Sequence, residues 1–267
     1  MCTRPIQLEK KFADGSSKTY TVPCGKCPEC RAKYQSEYAA LSVLEANKAG
    51  SLAFITLTYD DDHLPMQNTF VRVHRVVNED TGEEVVSLEN IFDGFSIGHN
   101  FPRDDDGTLC KLLYHGQRDV DGEMLDFFTC PSLRRLDVQL CLKRYRQDYF
   151  RRHGERLDLR FSGFGEYGEK YHRPHYHLLI YGLSRDEVNR FCSKWPHGFT
   201  DVEFVDHFNA DGSDAFIKVS RYVSKYVSKC DKLPSFVQRG FAEKPRKQSS
   251  VRFGRRDLCV EQLRNFI

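Results

Sequence analysis

Residues 165–182 read GEYGEKYHRPHYHLLIYG, and this stretch decides the fold. Leu157 to Tyr167 is rich in aromatic residues and reads as a strand. Gly168 to Pro174 supplies turn residues, and His175 to Tyr181 reads as a second strand. Too few residues separate the two for a parallel crossover, so they form an antiparallel hairpin. On a strand, residues two apart face the same way. His175 and His177 therefore present their imidazoles together, and Tyr176 points to the opposite face.

The flanking segments extend the hairpin into a sheet. Phe54 to Tyr59 (FITLTY) alternates, with Thr56 and Thr58 on one face and Ile55 and Leu57 on the other. Asp137 to Arg152 has helical periodicity, with Val138, Leu142, Tyr145 and Tyr149 on one face. Asp137 is its expected N-cap and Gly154 its stop. Arg185 to Lys194 is expected as a short helix, Phe199 to Val205 as a strand and Asp214 to Lys229 as a helix. This order predicts an α+β fold, an antiparallel sheet with helices on one side.

Three regions follow. Residues 1–50 are a cysteine-rich head in which Arg31 to Ala49 is a helix stopping at Gly50. Residues 51–230 are the core, interrupted at about 60–130 by an acidic insertion. Within the insertion, Arg72 to Val76 and Glu84 to Ser87 are expected to pair as a short hairpin across Asp80-Thr81-Gly82. The remainder is expected to be extended loops. Residues 231–267 are a basic, irregular tail.

The chain has 267 residues, 40% of them hydrophobic, enough to bury a core. A net charge of +2 hides segregation. Asp60 to Asp126 holds 16 acidic and 5 basic residues, whereas Arg221 to Arg256 holds 11 basic and 2 acidic. A basic segment of this kind suits a polyanion. No apolar run is long enough to span a membrane, and the N-terminus lacks the apolar stretch of a secretory signal. Ten cysteines in that setting read as thiols or metal ligands rather than disulfides.

Two imidazoles on one strand face can hold a metal, and such a site needs a third, harder ligand from a neighbouring element. Glu166, near the end of the partner strand, is the candidate; His172 and Glu169 in the turn compete. A second constellation, RYVSKYVSK at 221–229, places Tyr222 and Tyr226 four apart on one helix face. Lys225 and Lys229 form a parallel stripe beside them, and Arg221 precedes them. A phenol ordinarily ionises near pH 10, so a tyrosine nucleophile needs help at neutral pH. Neighbouring ammonium groups favour the phenolate and also bind phosphate. Lys218, Arg221 and Arg173 are candidate DNA-binding residues. Taken singly, a His-x-His pair is often ordinary surface and a tyrosine pair is often packing.

The chain resembles the replication initiators of small single-stranded DNA phages, the gokushovirus-type microviruses, which belong to the HUH endonucleases. FITLTY at 54–59, the hairpin at 165–182, RYVSKYVSK at 221–229 and VPCGKCPECR at 22–31 carry the resemblance. It is strong in these motifs, loose through the acidic insertion and poor in the tail. It implies a five-stranded antiparallel sheet with the histidines on a central strand. It also implies Mg²⁺ or Mn²⁺ held by His175, His177 and a third polar residue. A two-tyrosine member would cut origin DNA through one tyrosine, leaving a 5′-phosphotyrosine link and a free 3′ hydroxyl. The second tyrosine would close the circle. The partners implied are the single-stranded DNA origin and a host helicase and polymerase, in the host bacterial cytoplasm. No G-x-x-x-x-G-K-[ST] phosphate loop occurs, so unwinding is assigned to the host.

Cys24, Cys27 and Cys30 follow a C-x-x-C-x-x-C spacing, and Cys2 would complete a tetrahedral Zn²⁺ set. Three rivals stand beside the initiator reading. They are a water-using metal hydrolase drawing on Asp206 or His207, a non-enzymatic zinc-containing DNA-binding protein, and a single-strand transposase of the same superfamily.

Overall fold

A computed structural model describes residues 2–78, 82–98, 112–206, 214–225, 233–251 and 253–254. The chain divides into two compact units. The first gathers residues 1–51, 205–229 and 251–267; the second gathers residues 52–204 and 230–250.

In the first unit, β1 (Ile6–Lys11) and β2 (Ser17–Val22) form an antiparallel hairpin, from Ile6 opposite Val22 to Lys11 opposite Ser17. This hairpin is absent from the sequence expectation. Its side chains are almost all exposed, so the usual inward apolar set is missing. The long helix α1 (Pro28–Ala49) then begins with Pro28 in its first turn. It ends at Gly50, whose φ of 74° lets its amide cap the carbonyl of Ala46. Helix α4 (Ala215–Ser224) starts at Asp214, which accepts from the amide of Ile217. Its buried residues include Phe216, Ser220 and Val223, and Ser220 donates to Ser42 of α1 across 2.8 Å.

The second unit is built on the expected antiparallel sheet. Its strands are β3 (Leu52–Tyr59), β8 (Arg160–Tyr167), β9 (Pro174–Tyr181), β10 (Gly198–Val205) and β11 (Lys247–Ser249). Their order is β10-β3-β9-β8-β11, so β9 is central. Tyr176, Leu178 and Ile180 share a core with Ile55, Leu57 and Tyr59 of β3. Helices α2 (Arg135–His153) and α3 (Arg185–Cys192) cover that face through Val138, Leu142, Tyr145, Val188 and Phe191. The strip from 231 onward, expected to be irregular, contributes α5 (Ser235–Gln238) and β11.

Two expectations change. The segment read as loops forms a second, four-stranded antiparallel sheet. It consists of β4 (Leu64–Val77), β5 (Glu84–Gly98), β6 (Leu113–Val120) and β7 (Glu123–Pro131), in the order β5-β4-β7-β6. The expected hairpin is its β4–β5 pair, running from Val77 opposite Glu84 to Leu64 opposite Gly98. Secondly, Asp137 is not the N-cap of α2. Arg134 occupies that position, and Asp137 lies in the first turn, buried, accepting from the Tyr59 hydroxyl at 2.8 Å.

Candidate metal centre and nucleophile helix

The β8–β9 hairpin sets the metal constellation by register. Glu166 pairs directly with His175, and Phe164 with His177. On the other side of β9, Thr58 pairs with His175 and Thr56 with His177. Directly opposed residues share a face, so Glu166, both histidines and both threonines lie on one side of the sheet. Tyr176 projects into the helix-covered core on the other side.

The Nε2 atoms of His177 and His175 lie 3.1 and 3.4 Å from the same Glu166 oxygen, Oε2. Around an octahedral ion with bonds of about 2.1 Å, adjacent ligand atoms stand about 3 Å apart. The three donors are thus spaced as one ion would space them, all within 4.8 Å of one another. Both imidazoles are oriented from behind. His175 Nδ1 donates to the carbonyl of Arg173 at 3.1 Å, which leaves Nε2 as the free lone pair. His177 Nδ1 lies 3.2 Å from Thr56 Oγ1, and donation there leaves its Nε2 equally available. The His177 ring also stacks on Phe54, with centroids 5.3 Å apart. An imidazole–imidazole–carboxylate set of this kind accommodates Mg²⁺ or Mn²⁺ and leaves open positions for substrate oxygens.

The competitors for third ligand lie apart from this set. His172 sits in the turn with a φ of 49°, its Nδ1 3.1 Å from the Gly168 carbonyl oxygen. Glu169 is an exposed turn residue. Arg173 donates to the carbonyl of Tyr59 at 2.9 Å and pairs with Asp61, tying the start of β9 to the end of β3. Of the ligands suggested for a hydrolase, Asp206 does not join the metal-type cluster, and His207 lies outside the described residues. Thr56 is the supporting residue that sequence reading did not assign. The alternation of FITLTY placed it on the correct face, but only the β3–β9 register sets it opposite His177.

Helix α4 carries the tyrosine constellation. Its inward residues are Ala215, Phe216, Ser220, Val223 and Ser224. Lys218, Arg221, Tyr222 and Lys225 lie on the exposed side, with Tyr222 49% exposed. Tyr222 is therefore not a core packing residue, and it shares its side of the helix with three cations. Tyr226 and Lys229 lie outside the described residues.

In the first unit, Cys2, Cys24, Cys27 and Cys30 converge, their sulfurs all within 4.8 Å of one another. The turn from Cys24 to Cys27 passes through Gly25 at a φ of 71°. It aims the amides of Lys26 and Cys27 at Cys24 Sγ, 3.4 and 3.3 Å away. Cys27 Sγ and Cys2 Sγ are 3.8 Å apart, the edge expected of a tetrahedron with Zn–S bonds of about 2.3 Å. Backbone hydrogen bonds, that of Cys30 foremost, hold the Cys27 thiol down to about 6, while burial pushes Cys30 up to about 12. Four thiolates would close the coordination sphere, so the cluster suits a structural Zn²⁺. Cys130 and Cys141 are buried core thiols, as expected of the scattered cysteines, and Cys192 is partly buried. Cys110, Cys230 and Cys259 lie outside the described residues. Among the described residues, no helix is long and apolar enough to cross a membrane.

Comparison with known proteins agrees with the resemblance read from the motifs. Residues 124–231 match the family model of the phage-type replication-associated protein ORF2. That span includes Glu166, both histidines and both tyrosines. The chain is 21% identical over 245 residues to replication-associated protein VP4 of Bdellovibrio phage phiMH2K, covering 85% of this chain and 58% of that protein. It is 23% identical over 233 residues to replication-associated protein ORF4 of Chlamydia phage 1, covering 80% and 40%. For replication-associated protein ORF2 of Spiroplasma virus 4, identity is 21% over 264 residues, covering 85% and 60%. The chain thus spans 40% to 60% of the length of these curated relatives. No solved structure matches. By its motifs, its α+β sheet and these matches, the chain is a relative of phage replication-associated proteins.

Proposed function

We propose that the chain initiates rolling-circle replication of a phage genome by nicking single-stranded origin DNA and later rejoining it. The observation that carries this reading is the convergence of Glu166, His175 and His177 on one face of the central hairpin, each histidine held through its Nδ1. Those three residues would hold Mg²⁺ or Mn²⁺, which when bound supplies Lewis-acid polarisation of a scissile phosphate.

The nucleophile is the hydroxyl of Tyr222 or Tyr226. Its oxygen attacks phosphorus in line, the bond from phosphorus to the 3′ oxygen breaks, and that oxygen leaves as a 3′ hydroxyl after taking a proton. The strand's 5′ phosphate stays on the tyrosine. Lys225 and Lys229 offset the negative charge that develops, and Lys218 and Arg221 hold neighbouring phosphates. The free 3′ end primes a host polymerase behind a host helicase. The other tyrosine cuts the regenerated origin, and the freed 3′ hydroxyl attacks the first phosphotyrosine to close the circle. The mechanism requires a hydroxyl carried by the first unit to reach a phosphate held at the histidine site of the second. In the head, Cys2, Cys24, Cys27 and Cys30 would hold a structural Zn²⁺.

The test is a covalent-adduct assay with Mn²⁺ on an origin oligonucleotide. Wild type gives a protein–DNA adduct, and each single Tyr→Phe variant at 222 or 226 keeps or loses it according to order of use. A remaining adduct in the Tyr222→Phe/Tyr226→Phe double variant would falsify the mechanism. Salt-sensitive binding without any adduct favours the non-enzymatic DNA-binding rival. Cleavage products without an adduct favour the hydrolase. Activity on transposon-end hairpins but not on phage origin DNA favours the transposase.

A further inference from the structure

Helix α2 has a second functional face. Val138, Cys141, Leu142 and Tyr145 point into the core. Lys143, Arg146 and Phe150 follow one another at spacings of three and four on the solvent side, with Arg151 alongside Gln147. Past the helix stop at Gly154, Arg156 and Leu157 face them across a cleft of about 570 Å³. None of the lining residues is acidic.

The charge in this cleft is uncompensated. Arg152, one position from Arg151, is bound by Asp148 at 3.0 Å and by Glu187 at 2.5 and 2.7 Å. Lys194 takes the other oxygen of Asp148 at 2.9 Å. Among the described residues, no such carboxylate pairs with Lys143, Arg146, Arg151 or Arg156. Acidic partners thus gather on one flank of the helix, and like charges crowd the other. The Phe150 ring lies among those cations and is 50% exposed. An exposed aromatic ring between cations matches single-stranded nucleic acid, whose phosphates need the charge and whose bases need a stacking surface.

The geometry points to this cleft as a second binding site for single-stranded nucleic acid, with phosphates held by Lys143, Arg146, Arg151 and Arg156 and one base stacked on Phe150. The inference rests on the single-stranded DNA substrate proposed above. The cleft is distinct from the histidine site, because α2 and the sheet stand between it and the face bearing His175. It would therefore hold a stretch of strand away from the scissile phosphate.

The test uses the full chain and a fluorescein-labelled oligo(dT) of about 20 nucleotides, without added divalent metal, from about 50 to about 300 mM NaCl. Each lost phosphate contact lowers the slope of log affinity against log salt by about 0.7 for a single strand. Arg146→Gln/Arg151→Gln/Arg156→Gln should therefore lower the slope by about 2. Phe150→Ala should weaken binding about fivefold or more with the slope retained. A control of equal charge, Lys10→Gln/Lys18→Gln/Arg190→Gln, should leave the slope within about 0.5 of wild type. The single exposed change Arg151→Gln, expected to lower the slope by about 0.7, covers the case of a misfolded triple variant. The inference is overturned by a wild-type slope in the cleft variants, or by an equal fall in the control. Displacement of the oligonucleotide by poly-glutamate at equal charge concentration also overturns it, in favour of an acidic protein partner. The adduct assay run in parallel separates the two readings. No adduct with a lowered slope sinks only the nicking reaction, and an adduct with an unchanged slope sinks only the cleft.

Discussion

Glu166 stands directly opposite His175 in the antiparallel register, yet its Oε2 lies closer to His177, at 3.1 Å against 3.4 Å. One carboxylate oxygen thus serves both imidazoles. Glu166→Gln preserves the shape and removes the charge. Mn²⁺ affinity should fall at least about tenfold, measured by calorimetry or by electron paramagnetic resonance of free Mn²⁺. Unchanged affinity would remove Glu166 from the ligand set.

Thr56 tests the support behind the ligands. Thr56→Val keeps the side-chain shape but removes the oxygen 3.2 Å from His177 Nδ1. Metal affinity should drop by about 10- to 100-fold while the thermal midpoint moves little. A large fall in midpoint with affinity intact would make Thr56 a packing residue only.

The cysteine cluster gives a prediction about the head. Purified protein should carry close to one equivalent of zinc, and less than about half an equivalent counts against the site. Cys27→Ser removes the N-cap thiol of α1 and should release the metal. Residues near Cys24 and Cys30 should then become protease-sensitive, with a thermal shift of about 5 °C or more.

The clamp between α2 and α3 sets an acid limit. The Arg152 guanidinium, with the Tyr145 hydroxyl second, holds Glu187 down to about 2. A carboxylate lower in the folded chain than in the unfolded one contributes stability that is complete above about pH 4.3. That contribution is lost as pH falls from there through about 2. Arg152→Ala should cost about 1 kcal/mol at pH 7 in urea unfolding, and the difference from wild type should shrink toward pH 2. A constant difference across that window would show that the clamp acts through packing alone.

Gly198 opens β10 with a φ of 141°, and a Cβ there would meet the Asp60 amide nitrogen and lie 2.6 Å from the Thr58 carbonyl oxygen. Both neighbours are backbone and cannot swing aside. Gly198→Ala should destabilise the second unit by about 2 kcal/mol or more, measured by chemical denaturation. A change under about 0.5 kcal/mol would mean that the β3–β10 edge shifts freely.

The central sheet was legible because its inner positions are apolar and regularly spaced. FITLTY alternates, the 165–182 hairpin has a short turn, and α2 repeats its apolar positions. The second sheet was not, for a physical reason visible at its tip. Val73, Val76, Val77, Val85, Val86 and Leu88 are all exposed there, so the strands lack an inside and an outside. Their order comes instead from backbone pairing and cross-strand charge, such as Arg72 with Glu89 and Glu123. The β1–β2 hairpin escaped for the same reason, although Asp14-Gly15 marks its turn. At the candidate site, residue spacing identified the ligands, whereas the strand register that selects Thr56 depends on contacts 121 residues apart.

The central position of β9 has a kinetic consequence. Its backbone is paired on both sides, by β3 and by β8. Amides so protected exchange with solvent only when the whole unit opens, so the strand bearing His175 and His177 belongs to the last structure to let go. The imidazoles therefore stand on a platform that thermal fluctuation scarcely tilts, and ligand capture requires almost no ordering of the backbone beneath it.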